Sequence, residues 1–127
     1  MIRPDPIRVF LVDDQTLVRQ GIRSLLALAE GIEVVAEAAD GRQAVELIPQ
    51  VKPDVVLMDM RMPAMSGLEA LQAMGRAGTL PPTIILTTFD DDQLVLAGIK
   101  AGAKGYLLKD VSLEQLVNAI QAVAAGG

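Results

Sequence analysis

The chain has 127 residues, 51% of them hydrophobic, with 11 Lys and Arg against 16 Asp and Glu for a formal net charge of −5 at pH 7. It is long enough for one buried core and too acidic for a domain that grips a phosphate backbone, which needs a basic patch. Cysteine and histidine are both absent, which excludes disulfides, thiolate or histidine metal sites, a Ser-His-Asp triad and any phosphohistidine carried on this chain.

The run Ile7–Val12 is almost continuously apolar, as a strand buried on both faces should be, and it stops at Asp13-Asp14. Val18, Ile22, Leu25, Leu26 and Ala29 then recur at helical spacing, and Gly31 stands just past them. Asp14 can cap this helix, although Leu17 sits where a reciprocal Glu or Gln would be. A second strand is predicted over 33–38. The next helix starts at Asp40 with Gln43 and runs along Ala44, Val45 and Ile48; Pro49 should kink or stop it near Ile48. A third strand over 55–59 ends on Asp59, and Ser66 with Glu69 has capping-box spacing for a third helix. A fourth over 83–87 ends on Thr87, followed by Asp90 with Gln93 at a helix start and Gly102 past its end. The fifth, 105–108, runs into Lys109. Ser112 with Gln115, a staple of Val111 on Leu116, and the stripe Leu113, Leu116, Val117, Ile120 and Val123 mark the last helix, with Gly126 beyond it. Five strand-helix alternations predict an α/β fold with a parallel sheet covered on both faces.

Strands that are parallel bring their carboxyl ends to one edge, where open α/β folds place their sites. Asp13, Asp14, Asp59, Thr87 and Lys109 would then share a pocket. Taken singly, the Asp-Asp pair reads as a helix cap, Asp59 as a turn residue, Thr87 as a β-branched strand residue and Lys109 as a solvated lysine. Taken together at four matching strand ends, they describe a phosphoryl-accepting site. Two carboxylates about 5 Å apart repel by roughly 3 kcal/mol at an effective dielectric near 20, so a converging set calls for a cation. Mg2+ suits best: it is hard and takes one or two carboxylates while keeping waters that a phosphate can replace. The Asp59 carboxylate can attack phosphorus to give an acyl phosphate, the Thr87 hydroxyl can donate to a phosphoryl oxygen, and Lys109 can pair with Asp59 and then with the phosphate.

Over 7–125 the chain resembles the receiver domain of two-component response regulators. The motifs are Leu11-Val12-Asp13-Asp14, Met58-Asp59-Met60-Arg61-Met62-Pro63 with Ser66-Gly67, Leu86-Thr87, and Gly105-Tyr106-Leu107-Leu108-Lys109. The stretch from Ala101 to Asp110 and the closing Ala-Gly-Gly are similar to the NarL/FixJ (LuxR-type) subgroup, whose members usually continue into a helix-turn-helix. The resemblance implies a flavodoxin-like (CheY-like) (βα)5 sandwich with strand order 2-1-3-4-5. It also implies a single receiver domain over 1–127, core about 7–125, ending ahead of a linker and a C-terminal DNA-binding domain.

Carried over residue by residue, the resemblance makes Asp59 the phosphoacceptor and Asp14 a direct Mg2+ ligand, with Asp13 acting through a water and the Arg61 main-chain carbonyl completing the set. Thr87 and Tyr106 correspond to a switch pair, Lys109 to the phosphate reader, and Arg61 and Phe89 to positions that tune hydrolysis. Implied partners are a sensor histidine kinase, a second copy on phosphorylation and an output domain that controls transcription. The expected location is cytoplasmic, since neither a signal peptide nor a membrane span of about 20 apolar residues appears, and no direct nucleic-acid contact by this segment is expected. Two departures stand out: Asp110 follows the lysine where many receivers have proline, and Met65 replaces a small loop residue.

Other readings fit less well. An aspartate-dependent phosphatase of the haloacid-dehalogenase type wants a second Asp two residues after the nucleophile, where Arg61 stands. A dinucleotide or flavin module lacks its glycine-rich turn after the first strand. A stand-alone or pseudo-receiver module would leave the five site residues without a task. The expectation is a phosphoacceptor rather than an enzyme with conventional turnover.

Overall fold

A computed structural model describes residues 5–88 and 91–126. The predicted strands form as β1 (Ile7–Val12), β2 (Ile32–Ala38), β3 (Val55–Asp59), β4 (Thr83–Thr87) and β5 (Gly105–Leu108). Each is followed by a helix: α1 (Thr16–Ala27), α2 (Gly41–Val51), α3 (Gly67–Ala77), α4 (Asp92–Lys100) and α5 (Leu113–Ala124). All strands pair parallel in the order β2-β1-β3-β4-β5, the order the resemblance implied. The chain builds outward from β1 in one direction to β2 and from β3 in the other to β5. With right-handed crossovers, α1 and α5 fall on one face and α2, α3 and α4 on the other. The loops after β1 and β3 therefore part, leaving a crevice at the carboxyl edge.

Alternation along the strands sorts the core. Ile7, Val9 and Leu11 of β1 join Leu57, Leu86, Leu26 and Ile120 on the α1/α5 face, while Phe10 and Val12 join Val56, Met58, Ile48 and Met74 on the other. A smaller cluster of Met60, Leu71, Ile85 and Ala103 lies under α4. Burial of each large side chain stabilises the fold by about 1.5–3 kcal/mol, and burial on both faces makes the central strands rigid mounts for whatever stands at their tips.

The caps follow the sequence in part. Ser66 with Glu69 and Ser112 with Gln115 form reciprocal capping boxes. Asp40 accepts from the Gln43 amide at 2.8 Å, but the Gln43 side chain accepts from Ala39 N–H rather than from Asp40. The first helix is not capped by Asp14: its N-cap is Gln15, and Asp13 Oδ1 accepts the Gln15 N–H at 2.8 Å, leaving Asp14 exposed. The predicted Asp90 cap falls outside the described residues; Asp91 stands at the N-cap of α4 and makes no side-chain cap bond. Pro49 does not end its helix, which continues to Val51. One donor is lost, yet the last turn is held by buried Ile48, by Val51 against the same cluster, and by Lys52 closing left-handed with its N–H on the Ile48 carbonyl at 2.8 Å. Gly102 and Gly126 take positive φ directly after the C-caps of α4 and α5, as predicted, whereas Gly31, also at positive φ, does not end α1: that helix closes right-handed at Leu28 and Gly31 turns the chain into β2.

Candidate functional site

The crevice gathers the predicted residues. Asp13 follows β1, Asp59 closes β3, Thr87 closes β4, and Lys109 extends β5 with its N–H on the Thr87 carbonyl at 2.9 Å. One carboxylate oxygen from each of Asp13, Asp14 and Asp59 lies within 4.8 Å of the others. Asp13 is fully buried and Asp59 nearly so, while Asp14 sits at the open lip. Lys109 Nζ lies 3.1 Å from Asp13 Oδ2, 3.2 Å from Asp59 Oδ1 and 3.4 Å from Gln15 Oε1. The ammonium therefore bridges two carboxylates that repel one another.

The electrostatics follow from that crowding. Burial, reinforced by the neighbouring Asp13 charge, raises the Asp59 carboxyl from 3.8 to about 6 against the opposing pull of Lys109. Burial works against the Lys109 charge, but Asp59 and Asp13 outweigh it and hold the ammonium above its ordinary value. Asp13 Oδ2 is buried with no donor in hydrogen-bonding geometry, although the Lys109 charge is close. An anionic oxygen left so, beside two further carboxylates, fits a hard divalent cation with oxygen ligands.

Not every predicted residue points into the pocket. The Thr87 hydroxyl donates to the Thr88 carbonyl at 3.1 Å and lies 3.5 Å from Asp91 Oδ2. Tyr106 is 56% exposed, with its ring at the surface. Arg61 N–H reaches Asp59 Oδ1 at a long 3.4 Å, while its guanidinium crosses to Asp91. Phe89 lies outside the described residues. No described peptide bond is cis, so Lys109-Asp110 is trans. Met65 packs against the α2/α3 cluster and its carbonyl accepts the Gly41 N–H at 2.9 Å, which ties the loop after β3 to the start of α2. Two residues important here gave no sequence signal of their own, Asp91 and Gln15; Gly67, quoted with Ser66 among the sequence motifs, is sterically required, since a Cβ there would collide with the Asp59 carbonyl oxygen.

A doubly wound parallel sheet with an acidic pocket and a lysine at its switch point is the architecture of a phosphoacceptor signalling module. Residues 9–121 match the response regulator receiver domain, and the chain belongs to that family, the receivers of two-component systems. Its relatives are of the NarL/LuxR type. The transcriptional regulatory protein YxjL of Bacillus subtilis is 48% identical over 96% of this chain and 56% of its own length. The nitrate/nitrite response regulator protein NarP of Escherichia coli is 50% identical over 95% of this chain and 56% of its own length. The chain thus spans about half the length of the curated relatives it matches. Among solved structures, the signal receiver domain of a response regulator NarL from Mycobacterium tuberculosis superposes with a TM-score of 0.91 at 35% identity, covering 98% of this chain and 100% of that one. By their names, YxjL is a transcriptional regulatory protein and NarP a response regulator. Among the described residues no helix is long and apolar enough to cross a membrane.

Proposed function

We propose that Asp59 accepts a phosphoryl group from a sensor histidine kinase. The support comes above all from one relationship: a buried carboxylate at a rigid strand tip with the Lys109 ammonium at 3.2 Å and two further carboxylates beside it. An Asp59 oxygen attacks phosphorus, the N–P bond of the donor imidazole breaks, and its electron pair returns to the imidazole nitrogen. Lys109 balances the charge on the transferring group. Asp13, Asp14, Asp59 and the Arg61 carbonyl would hold Mg2+, which when bound neutralises phosphoryl oxygens. The chain acts as phosphoacceptor, without conventional turnover of a substrate.

Phosphorylation adds roughly −1.5 to −2 charge. The Thr87 hydroxyl then turns from the Thr88 carbonyl to the phosphoryl group, Tyr106 moves inward, and the face formed by α4, β5 and α5 changes. Phe89, outside the described residues, and Arg61 tune the lifetime of the acyl phosphate. In the whole protein we assign this segment as one receiver domain, core about 7–125, ahead of a linker and a helix-turn-helix output that regulates transcription. The protein works in the cytoplasm and pairs with a second copy once phosphorylated.

Incubation with a small phosphodonor and Mg2+ should add one phosphate to the intact mass. Equal labelling of Asp59→Asn would overturn the assignment.

A further inference from the structure

Asp91 has more partners than a helix start requires. It occupies the N-cap of α4, yet it accepts no cap hydrogen bond, and its backbone at φ −107 and ψ 36 is not the extended form that capping uses. Its carboxylate turns the other way. Oδ1 accepts from Arg61 Nη2 at 2.6 Å and Nε at 3.1 Å, and Oδ2 lies 3.3 Å from the same Nε. Oδ2 also accepts from the Thr88 hydroxyl at 3.2 Å and lies 3.5 Å from that of Thr87. Asp91 is 9% exposed, and its bond to Arg61 holds the carboxyl below its ordinary range, which favours the charged form that grips the guanidinium.

Two of these donors belong to the site. Arg61 stands two residues beyond Asp59, and Thr87 ends the neighbouring strand. The single Thr87 proton is already shared between the Thr88 carbonyl at 3.1 Å and Asp91, and the Arg61 edge of Nε and Nη2 that grips Asp91 cannot grip a phosphoryl group on Asp59 at the same time. We propose that Asp91 is a positioning residue, acting through Arg61 and Thr87: it holds both donors off Asp59 until a phosphoryl group outcompetes it. Once released, the carboxylate can cap α4, so the state of the pocket reaches the start of that helix. Such a role rests on Asp59 being the acceptor.

The test is titration with beryllofluoride and Mg2+, a phosphoryl mimic, of wild type, Asp91→Ala, Asp91→Asn, and a background carrying Arg61→Ala with Thr87→Ala. A protein freed of the competing anion no longer has to populate a released state, so Asp91→Ala should tighten binding about threefold to tenfold. Asp91→Asn, which keeps the side chain's shape and the Thr88 contact, should tighten it less, and it carries the test independently of any unfolding in Asp91→Ala. In the doubly substituted background the Asp91 effect should vanish. Unchanged or weaker binding in the Asp91 variants, or a gain that survives in that background, overturns the proposal. Without beryllofluoride, the Thr87 amide and Arg61 Nε NMR signals should both shift in Asp91→Asn; unmoved signals overturn the latch by themselves. A wild-type chain that takes up no beryllofluoride counts instead against Asp59 as acceptor.

Discussion

Lys109 Nζ stands 3.2 Å from Asp59 Oδ1 and 3.1 Å from Asp13 Oδ2, so one cation serves two buried anions. Removing it leaves the carboxylates facing each other. Lys109→Met should cost about 2 kcal/mol at pH 8, where Asp59 is ionised, and less at pH 5, where Asp59 takes up a proton. Chemical denaturation of both proteins at the two pH values measures this; a loss that is equal at both would show that Lys109 matters here only through packing.

The raised Asp59 carboxyl makes stability depend on pH. Its folded value is about 6 against 3.8 for the unfolded chain, so between those values the folded form holds a proton that the unfolded form has released. Without a cation, stability should therefore fall as pH rises from about 4 to about 6 and level off above, by about 1–2 kcal/mol after allowance for screening at this partly open site. Asp59→Asn should flatten that slope and melt higher than wild type at pH 7. Parallel melting profiles for the two would contradict it.

Divalent cation should reverse the trend. Bound only to the folded chain at 100 times its Kd, Mg2+ adds about 2.7 kcal/mol, and protonation of Asp59 should shrink that gain progressively as pH falls below about 6. Asp13→Asn and Asp14→Asn should each need far more Mg2+ for the same rise in melting temperature, and chelator should return wild type to its starting value.

Gly67 is a steric requirement of the pocket. An added Cβ would strike the Asp59 carbonyl oxygen and lie 2.8 Å from Met60 Cα, both backbone atoms that cannot yield without moving the loop. Gly67→Ala should cost about 3 kcal/mol. By contrast Gly21, inside α1 and with nothing within 4 Å of its added Cβ, should tolerate Ala with a gain of about 0.5–1 kcal/mol. Denaturant midpoints for the pair read both signs.

Much of this molecule was legible in advance because its signals are local. The five apolar runs and the Ser66 and Ser112 capping boxes depend on neighbours within a few residues, and they form as read. Pro49 misled because a lost donor in a final turn can be offset by the burial of Ile48, which the local pattern does not weigh against it. Asp14 does not cap α1, because the helix begins one residue later, with Gln15 at its N-cap.

Sequence alone determined which residues reach the carboxyl edge: continuous apolar runs that must be buried on both faces, paired parallel, leave Asp13, Asp59, Thr87 and Lys109 at the strand ends. Tertiary structure decided where their side chains point. Thr87 turns toward Thr88 and Asp91, Tyr106 lies outward, and Arg61 reaches across to Asp91. Each of these side chains has several rotamers of similar local energy. The choice among them rests on partners brought near only by folding.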